Sequence, residues 1–262
     1  MKKIFAAIIV ISLFYCSVNK KTMQPVQFAS NPIVAHRGAF KKNGFPENSI
    51  ASLKEAIRLK CTGSEFDVRM SADDSLVINH DPHYHQLEIE KTNYGELIQH
   101  KLANGETLPT LRQYLLSGLD NNKHTRLVVE IKPSATKERG KQIAERVLQL
   151  VKELKAEAMT VYISFDYEIL KKLLEMDRHL STQYLNGDIP PEQLKADGIR
   201  GADYHFSVFQ KNPEWIASAK KNNILLNAWT VNEEKDIKWL LENKFDFITT
   251  NEPELALDIL KR

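Results

Sequence analysis

From about residue 33 onward, short apolar runs alternate with longer stretches in which apolar positions recur every three to four residues. The short runs are rich in β-branched and aromatic residues and end at Gly, Pro, Asn or Asp, as strands do. They predict strands at 33–36, 65–70, 76–80, 126–132, 160–165, 182–185, 202–206, 224–231 and 245–250. The longer stretches predict helices. In 49–60, Ile50, Leu53 and Ile57 fall on one face, and in 136–154 Ile143, Val147, Leu150, Val151 and Leu154 do the same. Further helices fit 167–176, 212–222, 233–243 and 253–261. Repeated strand–helix units over this length predict an α/β fold, a (β/α)8 TIM barrel rather than a doubly wound sheet. No glycine-rich nucleotide fingerprint speaks for the alternative.

Nine strands are one too many for such a barrel, and the run "EFDVRMSADDSLVINHD" explains the surplus. It reads as an antiparallel hairpin early in the barrel. A two-residue turn at Asp73-Asp74 would set Asp67 opposite His80 and Arg69 opposite Ile78, and opposed side chains share a face about 5 Å apart. Residues 82–110 carry no long helical pattern and read as a small, polar insertion on the same rim.

The polar exceptions inside the strands carry the chemistry. Glu65/Asp67, Glu130/Lys132 and Asn227/Trp229 are i, i+2 pairs, so each pair points to one face. Barrel strands normally turn apolar residues inward, and charges near their C-terminal ends mark the face where barrel enzymes place their sites. Buried acids must be paired or bind a metal. Three carboxylates (Glu65, Asp67, Glu130) against two nearby cations (Arg37, Lys132) predict one divalent cation. All-oxygen ligands favour Mg²⁺ or Ca²⁺, with Mn²⁺ also compatible. With that ion the set carries one net positive charge, which a phosphodiester anion would neutralise.

Composition adds less. The 262 residues are 42% hydrophobic, enough for one large domain or two small ones. Lys2 and Lys3 precede an apolar run ending at Cys16, which reads as an export signal over 1–16, with 17–31 as a tether and 32–262 as the domain. The expected location is therefore outside the cytoplasm, periplasmic or as a membrane-anchored lipoprotein. Cys16 stands where a lipidated cysteine would, although Phe14 and Tyr15 depart from the small residues of that box; lipidation and ordinary cleavage both stay open. Without Lys2 and Lys3, 34 basic residues face 34 acidic ones, and no basic block remains to bind nucleic acid. No protein partner is implied. Cys61 is then unpaired and reads as a small buried apolar residue.

"AHRG" (35–38), "PENS" (46–49), "EFDV" (65–68), "HDP" (80–82), "LPTL" (108–111), "EIKP" (130–133) and "AWTVN" (228–232) together resemble the glycerophosphodiester phosphodiesterase family. The order and spacing match over about residues 30–255. The resemblance implies a distorted barrel and metal-dependent hydrolysis of glycerophosphodiesters to sn-glycerol 3-phosphate and an alcohol. It implies His36 and His80 as the acid/base pair, Glu65, Asp67 and Glu130 as metal ligands, and Arg37 and Lys132 on the phosphate. Trp229 and Phe165 would line the substrate pocket. Glu47 matches a position near the family's site, yet also suits the first turn of helix 49–60. Two departures stand out. Asp73-Asp74 replaces the usual Asp-Gly, and "HYHQLEIEKTNYGEL" follows "HDP", where His83 and His85 read as surface loop residues rather than a second metal site. A phospholipase D-like enzyme acting on lysophospholipid or sphingomyelin head groups would share these features but should show a large apolar rim. A non-catalytic lipoprotein that captures glycerophosphodiesters would not need both histidines.

Overall fold

The computed structural model describes residues 26–262. The signal expected over 1–16, with Cys16, lies outside that range, as does most of the tether expected over 17–31. Eleven strands form in chain order. They are β1 (Ile33–Ala35), β2 (Gly63–Met70), β3 (Leu76–Ile78), β4 (His83–Tyr84), β5 (Leu87–Glu88) and β6 (Arg126–Ile131). β7 (Thr160–Ser164), β8 (Thr182–Tyr184), β9 (Gly201–His205), β10 (Leu225–Trp229) and β11 (Phe247–Thr250) complete them. β1, β2 and β6 through β11 are parallel neighbours in that order, and β11 pairs back with β1. Eight strands therefore close on themselves, a (β/α)8 barrel.

Ten helices accompany them: α1 (Ile50–Arg58), α2 (Tyr94–Leu97), α3 (Leu111–Leu119), α4 (Lys137–Glu153), α5 (Tyr167–Met176), α6 (Pro191–Ala196), α7 (Phe206–Lys211), α8 (Glu214–Asn222), α9 (Glu234–Glu242) and α10 (Pro253–Ile259). Their starts are chemically marked. Ser49 accepts from the Ser52 amide, and Thr110 with Gln113 forms a reciprocal capping box on α3. The sequence pattern does not show α3, α6 or α7. α6 and α7 span only 6 residues each, fewer than two helical turns.

Two apolar layers hold the fold. Val34, Val128, Val161, Ile163 and Leu185 fill the barrel interior, while a larger cluster joins the outer strand faces to the helices. Residues 26–31, read from sequence as tether, are docked at the N-terminal end of the barrel. There the Arg126 guanidinium lies 3.7 Å over the Phe28 ring and 5.2 Å from that of Phe247. Apolar and cation–π contact, hidden in a polar-looking stretch, acts there together with hydrogen bonds such as that from the Ala29 amide to the His124 carbonyl and from Thr62 Oγ1 to the Ala29 carbonyl.

The hairpin exists, but in another register. Val68 pairs with Ile78 and Arg69 with Val77, so Asp67 does not face His80 and Arg69 does not face Ile78. The Ser71 amide donates to the Ser75 carbonyl, leaving three loop residues rather than two, and Asp74 takes the left-handed position at φ 61°. A three-residue loop with one left-handed residue is a regular hairpin solution, and it shifts every opposed pair by one. The insertion is also more ordered than its pattern suggests. β4, β5 and α2 close over Val77, Tyr84, Ile89, Leu97 and Leu108. Glu106 accepts from the Ile50 and Ala51 amides, tying the insertion to the positive end of α1.

Candidate active site

At the C-terminal mouth of the barrel a cleft of about 470 Å³ is lined by His36, Arg37, Glu65, His80, Glu130, Lys132, Phe165 and Trp229, among others. Asp67 and Glu130 are register partners on β2 and β6, and thus stand side by side at one height. Glu65 is two residues earlier on the same face. Carboxylate oxygens of all three lie within 4.8 Å of one another, and each residue is buried. Every acid predicted as a metal ligand is therefore in one place.

The structure itself tests whether a cation fits here. Glu65 Oε1 is buried without a hydrogen-bond partner among the described residues. Lys132 Nζ lies 2.7 Å from Glu130 Oε1 and 3.2 Å from Asp67 Oδ1, yet neither oxygen is satisfied as a hydrogen-bond acceptor, so the lysine supplies charge more than directional bonding. Burial, then the Asp67 charge, pushes Glu65 well above the usual carboxylate range and Glu130 to about 7. For Asp67 burial acts in the same direction, but Lys132 and the Asn48 amide outweigh it and hold that carboxyl down. Three buried acids of which two resist ionising are short of positive charge, and a divalent cation fits that deficit.

The turn after β1 delivers two more groups. Arg37 and Gly38 adopt φ 53° and 80°, a pair of left-handed residues that swings the chain over the mouth. The Arg37 amide then donates to Glu65 Oε2 at 2.8 Å. A Cβ on Gly38 would lie 2.6 Å from the Ser52 backbone carbon, so glycine is what lets α1 approach. His36 Nδ1 meets Asn251 Oδ1 at 2.7 Å; an amide oxygen can only accept, so the proton sits on Nδ1. The unprotonated Nε2 lies 3.8 Å from Glu65 Oε2. Burial, then the Arg37 charge, pushes His36 down to about 4. The ring is a neutral imidazole with its lone pair toward the acids.

His80 arrives by a route the predicted register did not foresee. It follows β3, and its carbonyl accepts from Arg69 Nε at 2.9 Å and Nη2 at 2.7 Å, which pins the backbone at the rim. Its Nδ1 pairs with Asp81 Oδ1 at 2.7 Å, leaving Nε2 for the cleft. Phe165 and Trp229 meet edge to face, with centroids 5.4 Å apart, on the far wall.

Several participants lay outside the sequence reading. Asn48, at φ 59°, donates to Asp67 Oδ2 at 2.8 Å and fixes that carboxylate. Asn251 orients His36, and Asn232 in turn accepts from the Asn251 amide at 2.9 Å. Asn48 and Asn232 stand inside "PENS" and "AWTVN", where their spacing alone gave no role. Glu47 is at the site: Arg37 Nη1 donates to its two oxygens at 2.8 and 3.0 Å. That fourth acid corrects the charge count, since with one divalent ion the set is neutral rather than positive. His83 and His85 do not join the acid cluster. His85 stacks on His100 in the insertion, centroids 4.5 Å apart.

Residues 36–255 match the Glycerophosphoryl diester phosphodiesterase family, most of the chain. The chain belongs to that family. A glycerophosphodiester phosphodiesterase from Caldanaerobacter subterraneus subsp. tengcongensis is 30% identical over 88% of this chain and 98% of its own. The crystal structure of one from Parabacteroides distasonis is 39% identical, with a TM-score of 0.85 over 88% of this chain and 96% of that one. A phosphodiesterase from Oleispira antarctica, solved in complex with the product sn-glycerol-3-phosphate, shares the fold at 22% identity and a TM-score of 0.75, covering 88% of this chain and 97% of its own. This member of the family is a phosphoric diester hydrolase acting on glycerophosphodiesters.

Proposed function

We propose that the chain hydrolyses glycerophosphodiesters to sn-glycerol 3-phosphate and an alcohol, with His36 as general base, His80 as general acid and a divalent cation on Glu65, Asp67 and Glu130. The observation that carries this reading is the pairing, in one cleft, of an imidazole held neutral at His36 with the three-acid cluster. A base that stays unprotonated well below neutral pH is ready to accept a proton, and His36 Nε2 is the free atom. It takes the proton of the attacking hydroxyl, from water or from the substrate's own glycerol. As the bond from phosphorus to the leaving oxygen breaks, His80 Nε2 gives that oxygen a proton, and Asp81 holds the ring in place through Nδ1. Where the glycerol hydroxyl attacks first, water opens the cyclic phosphate by the same two transfers in reverse. Each transfer is worth about 10²–10⁴-fold.

A cation bound by the three acids would polarise a non-bridging phosphoryl oxygen; Mg²⁺, Ca²⁺ and Mn²⁺ all suit an all-oxygen set. Arg37 contacts the phosphate with its guanidinium once Glu47 yields it, and Lys132 adds a fixed charge from below. Phe165 and Trp229 cover the carbon skeleton. Among the described residues the large exposed apolar side chains are Leu116 and Leu260, on α3 and just past α10, neither of which lines the cleft. That favours a water-soluble substrate over a lysophospholipid or sphingomyelin at a bilayer. Export through residues 1–16, with or without acylation of Cys16, belongs to the same reading and is tested by fractionating cells and weighing the mature N-terminus.

Leaving-group dependence tests the two histidine roles. With glycerophosphocholine, His36→Ala and His80→Ala should each lose about 10²–10⁴ in kcat/KM. With a glycerophospho-p-nitrophenyl ester, whose leaving group needs no proton, His80→Ala should recover most of its activity while His36→Ala does not. Recovery in His36→Ala instead would reverse the assignment, and wild-type turnover in both variants would end it.

A further inference from the structure

The chemistry above leaves one carboxyl in the cleft unused. Asp203 lies on β9, directly across the closed barrel from β2, the strand of Glu65 and Asp67. It lines the same cleft, is 1% exposed, and its Oδ1 has no hydrogen-bond partner among the described residues. Its register partner Asn227 meets the carboxyl, which only partly offsets the burial, and is otherwise engaged elsewhere. Thr249 Oγ1 donates to Asn227 Oδ1 at 3.1 Å, and Asn227 Nδ2 approaches Gln183 Oε1 at 3.4 Å. An unpartnered buried polar atom is costly, a penalty a bound ligand relieves.

The cleft has an open and a closed end. His36, Arg37, Phe165 and Trp229 are partly exposed, whereas Ile163, Leu185, Asp203 and Thr249 are buried. A phosphodiester with its phosphorus between the acids and the two histidines has one arm toward each end. The leaving alcohol varies in size and needs the open arm. The glycerol is constant and small, and it suits the closed one, where Asp203 stands across the barrel from the acid cluster beside Ile163, Leu185 and Thr249. Burial, then the nearby Glu130 charge, keeps that carboxyl well above the usual range. As a neutral acid it can both donate to and accept from a hydroxyl.

We propose that Asp203 binds the terminal hydroxyl of the glycerol arm, the one farthest from phosphorus, and so sets the preference for fully deacylated glycerophosphodiesters. This deepens the reading of the cleft as a phosphodiester site and rests on it. An acyl chain on that oxygen would remove the hydrogen Asp203 accepts and would push a long tail into the closed end.

The test compares two substrates with the same leaving group: a glycerol phosphodiester and its analogue lacking only the terminal hydroxyl, which retains the hydroxyl beside the phosphate. On the first, Asp203→Ala should lose about 10- to 100-fold in kcat/KM, the usual loss when a buried polar contact to substrate is removed. On the second it should lose less than about threefold, because the contact is already gone. Asp203→Asn keeps one donor and one acceptor and should stay within about threefold of wild type on both substrates. Equal losses on both substrates would show a purely structural residue and overturn the proposal. So would an unaffected Asp203→Ala. Failure of the wild type itself to turn over the glycerol substrate would count against the proposed function instead.

Discussion

Replacing Asn251 by aspartate would put a carboxylate where an amide oxygen now accepts the His36 Nδ1 proton at 2.7 Å. Size and shape are nearly unchanged, and the charge is not. With the two charge centres about 4–5 Å apart and an effective dielectric near 20, Coulomb's law gives about 3–4 kcal/mol in favour of the imidazolium. At about 1.4 kcal/mol per pKa unit, His36 should rise by roughly two to three. Burial and Arg37 hold it at about 4 in the native protein, so the variant should titrate near 6 to 7. Imidazole nitrogen shifts followed by NMR across the pH range read this directly. Stability should follow with a definite sign. Native His36 binds fewer protons folded than unfolded between its folded pKa of about 4 and the ordinary 6.5. Its contribution to stability is thus complete above the unfolded value and is lost as pH falls through the folded one, about 3 kcal/mol in all. In the Asp variant that acid-side loss should largely vanish, while kcat/KM at pH 5.5 drops about tenfold below its own value at pH 8, because the base is then protonated. A native His36 titrating near its ordinary value, or a titration that Asn251→Asp leaves in place, would refute the hydrogen-bond assignment and with it the choice of base.

Three further outcomes follow from the same coordinates. Gly38→Ala forces a Cβ to 2.6 Å from the Ser52 backbone carbon at φ 80°, and should cost about 2–5 kcal/mol, read as a fall in the urea midpoint. Metal titrated into the metal-free protein at pH 6 should release about one to two protons, since Glu130, held to about 7, and Glu65, pushed by burial well above the usual carboxylate range, must ionise; calorimetry in two buffers of different ionisation enthalpy counts them. Metal affinity should accordingly weaken as pH falls below 7. The Cys61 thiol, fully buried and pushed up to about 12, should alkylate only at the rate of unfolding, and fast labelling under native conditions would contradict its placement.

What the sequence shows of this site follows a physical division. Strand positions were legible because residues buried on two faces must be apolar, so Glu65, Asp67 and Glu130 stood out as exceptions that demand a cation. The hairpin register was not, because it turns on whether Ala72 joins the two aspartates in the loop, a local backbone choice with almost no trace in residue type. His80 reaches the cleft regardless, held by Arg69 through a backbone carbonyl, and a side chain bonded to main chain leaves no pairing pattern to read. Asn48, Asn232 and Asn251 were silent for a related reason. A neutral amide in a loop is ordinary, and only its partner, a buried carboxylate or an imidazole, gives it a role. Phe28 shows the converse, since one aromatic in a polar stretch, helped by the hydrogen bonds of Ala29 and Asn31, docks that stretch on the barrel.

The central claim is that three buried acids share one cation on which turnover depends. Stripping the protein of metal and following glycerol 3-phosphate release from glycerophosphocholine tests it most directly, with Mg²⁺, Ca²⁺ or Mn²⁺ added back in turn and Glu65→Gln run beside the native chain. Activity should fall to background on stripping and return with at least one of the ions, and Glu65→Gln should respond to none of them at comparable concentration. Undiminished release from thoroughly metal-free protein would contradict the account.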